Sequence, residues 1–239
     1  MSIILYDIPS TLPEKAWSPS VWKARFCLNL KELPYTTEWV EYPDIEPHCQ
    51  KLGIPPTAKK PDGSPFYTLP AIHDSSTGVY ISDSVKIAEY LEKTYPGVRS
   101  IFSKKSAGIQ TIFDEVLFTN ISPLLALAFP DFLPMLTPES TPFMTAKVLE
   151  VGSKNREEDW IKAEEGMEKV AAWYERKVEE GPFVLGACMS WVDIVIASFL
   201  VFFRRTWGED SEEWRKITSW NGGRWGVHSD IFREFEAMH

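Results

Sequence analysis

Up to about Pro96 the apolar positions fall into short runs separated by prolines, and beyond it they recur mostly at helical spacing. Ser2 to Ile8 is a compact strand-forming run ended by Pro9-Ser10. The stretch from Pro9 to Pro19 is turn-like, with three prolines and two serines. Trp22, Phe26, Leu30 and Leu33 then recur at i, i+4, i+8 and i+11, which predicts a helix starting between Ser18 and Ser20 with Pro19 in its first turn. Pro34 bounds a second strand, Tyr35 to Tyr42. Pro43 to Pro65 holds six prolines and little periodicity, so an irregular connection with at most one short helix is expected. Phe66 to His73 reads as a strand that Pro70 confines to an edge, an end or a bend, because proline cannot donate to a ladder. A cis Leu69-Pro70 bond is one way to make that bend. Ser82, Asp83 and Ser84 are all N-cap types, Ala88, Leu91 and Tyr95 follow on one helical face, and Pro96-Gly97 ends the helix.

After a linker from Gly97 to Ser103, Ile109, Ile112, Phe113, Val116 and Leu117 fit a helix that Pro123 should kink or end. Pro130, Pro134, Pro138 and Pro142 predict a non-regular span. Trp160, Met167, Val170, Ala171, Tyr174 and Val178 mark one face of a further helix, stopped by Gly181-Pro182. Ser190 and Asp193 form a capping box before a stretch apolar on all sides, which should be a buried central helix. Four tryptophans (207, 214, 220 and 225) and a Gly222-Gly223 turn precede an amphipathic helix from about Ser229. Strand, helix, strand, connector, bent strand, strand, helix is the order of a thioredoxin-like half. The fold class expected is therefore α/β followed by all-α, with a thioredoxin-like domain at 1–97 and an all-helical domain at 104–239.

No continuous apolar run reaches the ~20 residues of a membrane span, and no signal-type leader opens the chain, so a cytoplasmic protein is expected. A net charge of -9 without a basic stretch argues against nucleic acid. Cys27, Cys49 and Cys188 form no C-x-x-C, and the four histidines show no metal spacing, so neither a disulfide framework nor a metal site is expected. Ten tryptophans among 239 residues exceed ordinary usage, and a surplus suits a pocket for flat aromatic ligands as well as a core.

A proline-bent strand close in sequence to a helix N-terminus carrying Asp83, Ser82 and Ser84 suits a small zwitterionic peptide: the helix N–H groups meet its carboxylate and Asp83 its ammonium. Leu69-Pro70 followed by Ser82 to Leu91 resembles the glutathione-binding core of cytosolic glutathione transferases. Gly186 to Asp193 resembles the start of that family's central helix. Ser18-Pro19-Ser20-Val21-Trp22-Lys23-Ala24-Arg25 resembles the bacterial β-etherases and the fungus-specific FuA class. The resemblance implies that glutathione lies along Leu69 and Pro70, with its γ-glutamyl group on Asp83 and Ser84. Lys59 and Lys60, just before the bent strand, are then candidates to reach its glycine carboxylate. Its sulfur would then face Ser18 or Ser20. Serine before proline selects Ser18, and counting back from Arg25 selects Ser20. No cysteine occupies this position, which argues against thiol-transfer chemistry. Trp22, Phe118 and Phe129, with the loop from Pro9 to Trp17, are candidates to wall a site for aromatic electrophiles. The expected protein is a homodimeric transferase that conjugates glutathione to aromatic electrophiles or cleaves aryl ethers. The alternative is a ligandin-type binder of hydrophobic aromatics.

Overall fold

The structure, a computed structural model, describes residues 3–97, 99–102, 107–176 and 179–238. Ser2, Ser103, Lys104 and Val178, which the apolar pattern assigns to the first strand, the linker, the start of the helical domain and a helix face, lie outside the described residues. The chain forms two compact units, neither of them continuous in sequence. One comprises Met1–Ser100 with Met135–Phe143 and Phe235–His239, the other Ile101–Pro134 with Met144–Glu234.

The first unit runs β1 (Ile3–Asp7), α1 (Pro19–Leu30), β2 (Tyr35–Trp39), α2 (Ile45–Leu52), β3 (Ala58–Lys59), β4 (Pro65–Phe66), β5 (Ala71–Asp74), β6 (Val79–Ser82) and α3 (Ser84–Thr94). Four strands make a mixed sheet in the order β2-β1-β5-β6, with β1 parallel to β2 and antiparallel to β5. Leu5 lies opposite Ile72, and both are fully buried. The proline-rich connection, expected to hold at most one short helix, holds α2, closed by Gly53 in the left-handed region at φ 70°. It also holds a β3–β4 hairpin that the pattern does not predict, since each strand is only two residues long. Asn29 Nδ2 donates to the carbonyls of Phe235 and Ala237, and the Tyr35 hydroxyl donates to Ala237 as well, so residues 235–238 are bound into this unit.

The second unit contains α4 (Ala107–Phe132), most of α5 (Thr141–Val151), α6 (Arg156–Tyr174), α7 (Trp191–Trp207) and α8 (Glu212–Phe232). Pro123 does not end the helix, since α4 continues through it and through Pro130, and a helix, α5, occupies part of the span expected to be irregular. A proline inside a helix leaves the carbonyl four residues back without its donor. Ser122 Oγ donates to the Thr119 carbonyl at 3.0 Å in place of Pro123, and the Ser153 N–H donates to the Ala126 carbonyl at 2.8 Å in place of Pro130. Pro142 sits in the first turn of α5, where proline is tolerated. Although no run of ~20 apolar residues was expected, α4 is by length and composition apolar enough to cross a bilayer; here it packs on α6 and α7. The packing is close: a Cβ on Gly166 of α6 would come within 2.0 Å of the Asn120 carbonyl oxygen.

The capping box before α7 forms as expected. Asp193 accepts from the N–H and hydroxyl of Ser190 at 3.0 and 2.8 Å, and from the Val184 N–H at 3.0 Å. Almost all of α7 is buried. Between Trp220 and Gly223 the backbone of α8 breaks, with Asn221, Gly222 and Gly223 all left-handed, and helix resumes ahead of Ser229.

Asp74, at the β5–β6 turn, is buried and fully hydrogen-bonded. Ser76 donates to it through both N–H and hydroxyl, and Tyr90 and Tyr95 donate their phenols. Burial alone would raise its carboxyl pKa, but the bonds from Ser76, Tyr95 and Tyr90 outweigh it and bring the value down from 3.8 to about 2. A depressed carboxyl pKa contributes stability above the unfolded value that is lost as pH falls through the folded one. The shift is worth about 2 kcal/mol. We expect Asp74→Asn to lower the urea-unfolding free energy by about that amount at pH 7. The gap between the two proteins should narrow as pH falls from about 4 to about 2.

Candidate active site

Two turns of the first unit meet at a single hydrogen bond. The Leu69-Pro70 bond is cis, and the Pro70 carbonyl accepts from the Asp83 N–H at 3.2 Å. Behind them, the buried Ser82 hydroxyl donates to the Pro55 carbonyl at 2.6 Å. Leu69 and Pro70 are themselves buried, and the backbone of Leu69 forms no hydrogen bond with the other described residues. Backbone groups beside a sheet are obligate hydrogen-bonding groups, so an extended peptide could pair with them.

Asp83 is the N-cap of α3. Its Oδ1 accepts from the N–H groups of Val85 and Lys86 at 2.9 and 3.1 Å, and Ser84 follows as the first helical residue. Asp83 has φ 81° and ψ 125°, a conformation costly for a residue with a Cβ and found disproportionately where ligands are clamped. One carboxylate oxygen thus serves the helix, while Asp83 and Ser84 are both partly accessible. The strain is the one feature of this group that the sequence does not signal, beyond aspartate's tolerance of positive φ.

Ser18 is the N-cap of α1, and its carbonyl accepts from the Trp22 N–H at 2.9 Å. Its hydroxyl makes no capping bond, although an N-cap serine usually spends it that way. Ser18 is 7% exposed and follows the buried Trp17. Ser20 lies one residue into the helix beyond Pro19 and is exposed. The first turn of α1 carries no acidic side chain, so the positive end of its dipole is unopposed by a local carboxylate.

Trp22 is 1% exposed and packs in the core with its ring tilted against Phe26 at 5.2 Å, the Arg25 guanidinium lying 5.5 Å from its ring. Arg25 is fully buried and donates to Asp7 at 2.8 Å, to Tyr35 and to Thr37. Its role is to fix α1 on β1 and β2, which also holds the helix N-terminus in place. Lys60 is partly exposed beside the hairpin and pairs with Glu46 at 2.8 Å; Lys59 is exposed.

In the second unit Phe129 packs on Phe202 at 5.5 Å, while Phe118 is 54% exposed. An open groove of about 270 Å³ lies on the α4 and α6 surface, lined by Ile109, Ile112, Phe113, Val116 and Trp173. The α4 members of that groove were legible as apolar positions, but their exposure was not. Cys27 is fully buried, its thiol pushed far above the usual range by burial. Burial likewise raises the Cys49 thiol to about 11, and Cys188 is exposed. Among the described residues, no group of three or more His, Cys, Asp or Glu side chains is placed to hold a metal ion.

Comparison with known proteins agrees with this geometry. Residues 17–94 match the glutathione S-transferase N-terminal domain family, and residues 108–235 match the C-terminal domain family. The chain is 30% identical to the glutathione S-transferase-like protein ustS of Aspergillus flavus, covering 91% of this chain and 85% of that one. Among solved structures it is similar to CsGST63524 of Ceriporiopsis subvermispora, a glutathione S-transferase in complex with glutathione. The two are 36% identical, with a TM-score of 0.92, over 99% of this chain and 98% of that one. It is also similar to glutathione transferase GSTFuA3 of Phanerochaete chrysosporium, at 34% identity and a TM-score of 0.93 over 100% and 99% of the two chains. With both domain families matched in order and relatives of this similarity along nearly its whole length, the chain belongs to the glutathione S-transferase family.

Proposed function

We propose that this transferase binds glutathione along Leu69 and Pro70, ionises its thiol at the start of α1 with Ser18 as donor, and passes the sulfur to aromatic electrophiles. The observation that carries the reading is the junction of the cis bond with the strained cap. It leaves the Leu69 backbone and the outer face of Asp83 and Ser84 to a ligand, while the Pro70 carbonyl and Asp83 Oδ1 are occupied. In this arrangement the γ-glutamyl ammonium meets Asp83, the γ-glutamyl carboxylate meets Ser84 and the α3 N-terminus, and Lys60 exchanges Glu46 for the glycine carboxylate. Residues 1–97 carry the glutathione site, and the helical domain from 104 supplies the hydrophobic ligand surface. The relative CsGST63524 was solved in complex with glutathione, which supports the choice of ligand.

Ser18 is preferred to Ser20 because it stands at the N-cap, shielded from solvent and with its hydroxyl not spent as a cap, whereas Ser20 is exposed. A hydroxyl donor aided by an unopposed helix N-terminus stabilises a thiolate over a thiol, and cysteine thiols in such settings ionise several units below their free value. The thiol proton leaves to water. The thiolate sulfur forms a bond to the electrophilic carbon, and the leaving group, a halide or an aryl-ether phenolate, departs with the bonding pair. No metal takes part in these steps; fixed dipoles carry the stabilisation. A second reading, sequestration of hydrophobic aromatics, is favoured by the open apolar groove of Ile109, Ile112, Phe113, Val116 and Trp173. The working form in both readings is a symmetric homodimer.

Three outcomes follow. Ser18→Ala should lower turnover of a simple aryl halide at least about tenfold while leaving displacement of a bound aromatic dye unchanged. Equal turnover in the two proteins would remove Ser18 from the mechanism. Asp83→Asn keeps a good N-cap and tolerates positive φ, so thermal stability should be nearly unchanged. Calorimetry should show glutathione affinity at least about tenfold weaker, because a charge-assisted bond is lost. Sedimentation equilibrium should return twice the 27.3 kDa chain mass.

A further inference from the structure

A serine that must meet a sulfur atom has to be held to about half an ångström, yet Ser18 ends a stretch with no regular structure and makes no hydrogen bond through its own hydroxyl to the other described residues. A segment more than a hundred residues away is bonded to the loop that leads to it. The loop before it closes on itself, since the Ser10 N–H and hydroxyl both donate to the Lys15 carbonyl at 3.1 and 2.8 Å. The closed loop is then tied down: Ser10 forms a β-bridge with Leu136, and the Thr11 N–H and hydroxyl both donate to the Met135 carbonyl at 2.8 and 2.9 Å.

The same segment grips the chain on the other side of Trp17. The Trp17 and Tyr42 rings lie 6.4 Å apart. The Tyr42 N–H donates to Ser140 Oγ at 3.0 Å, and Ser140 Oγ donates in turn to Glu41 Oε2. Thr137 Oγ1 donates to the same oxygen at 2.6 Å. Ser140 is fully buried, so its hydroxyl is used once as acceptor and once as donor with no water to substitute. Residues 135–143 thus pack as part of the first unit, although most of α4 and α5 on either side of them belong to the second.

We propose that residues 135–143 are a positioning strap for the thiol site: through Glu41 and Tyr42, and through the loop at Ser10 and Thr11, they fix Trp17 and hence the Ser18 hydroxyl. Ser140 and Glu41 are positioning residues and touch no substrate. The proposal rests on the assignment of Ser18 to the thiol, and the test separates the two.

The readout is the ultraviolet absorbance of the bound glutathione thiolate against pH, together with calorimetric affinity for S-methylglutathione, which cannot ionise. Ser140→Ala should raise the apparent pKa of the bound thiol by roughly one unit, in the same direction as Ser18→Ala, with S-methylglutathione affinity within about twofold of the parent. Ser140→Thr, which keeps the hydroxyl, should restore the parent value. The double variant Ser18→Ala with Ser140→Ala should shift the thiol no further than Ser18→Ala alone, because the strap acts through Ser18. If Ser18→Ala shifts the thiol and Ser140→Ala does not, or if the two shifts add, the strap is overturned and Ser18 stands. If Ser18→Ala leaves the thiol unmoved, the Ser18 assignment fails and the strap's role at the thiol falls with it. Should Ser140→Ala not fold, Thr137→Val, which removes the second hydroxyl on Glu41 Oε2, is read against the same criteria.

Discussion

Asp7 and Arg25 form a charge pair sealed from water, with relative exposures of 1% and 0%. Neither can be given up alone, since a buried charge stripped of its partner costs about 3–5 kcal/mol. Neighbours bond to most of what remains: the Ile8 N–H donates to the other Asp7 oxygen, and Tyr35 and Thr37 accept from one guanidinium nitrogen, while Arg25 Nε finds no partner among the described residues. Three elements meet there, β1 through Asp7, β2 through Tyr35 and Thr37, and α1 through Arg25. Helix orientation in the first unit is therefore set by a charge that has only one place to go. The orientation of α1 sets where its N-terminus points, so under the proposed function the ion pair bears on the chemistry without taking part in it.

The second unit solves a similar problem with a neutral partner. Asp193 is buried, and burial raises its pKa against the opposing hydrogen bonds from Val184 and Ser190. His228 Nε2 lies 3.0 Å from the Asp193 carbonyl, which can only accept, so Nε2 carries the hydrogen and Nδ1 is left to accept from the Tyr174 hydroxyl. Burial lowers the His228 pKa and favours the neutral ring. The network links the start of α7 to α6 and α8 with every polar atom named here engaged. One unit thus orients its helix with an ion pair, and the other orients its central helix with a capping carboxylate and a neutral imidazole.

How far these arrangements were legible depended on how local the compensating group was. Ser190 and Asp193 are three residues apart and read directly as a cap. Leu69-Pro70 and Ser82-Asp83-Ser84 were legible because proline and short acceptors carry their geometry with them. The continuation of α4 through Pro123 has a local signal in Ser122, whose hydroxyl can stand in for the missing donor. Continuation through Pro130 had none, because its substitute donor, Ser153, lies beyond the next helix. Nothing near Glu41 announces Ser140, and no pattern rule pairs residues that far apart. The tryptophan surplus shows the limit of composition: Trp17, Trp22, Trp191 and Trp225 are core residues, whereas Trp173 lines an open groove, and only position in the fold separates the two uses.

That the first unit borrows residues 135–143 and 235–238 has a bearing on how the molecule comes into being. Domains generally fold as they emerge during synthesis, the earlier one first. Here Glu41 and the Tyr42 N–H wait for Ser140, and Asn29 waits for the carbonyls of Phe235 and Ala237. A nascent chain halted after α3 would hold the sheet and its ion pair but lack the partners that complete its rim. The half that begins first on the ribosome is consequently finished last, and cutting the chain at the linker would separate a sequence segment rather than a folding unit.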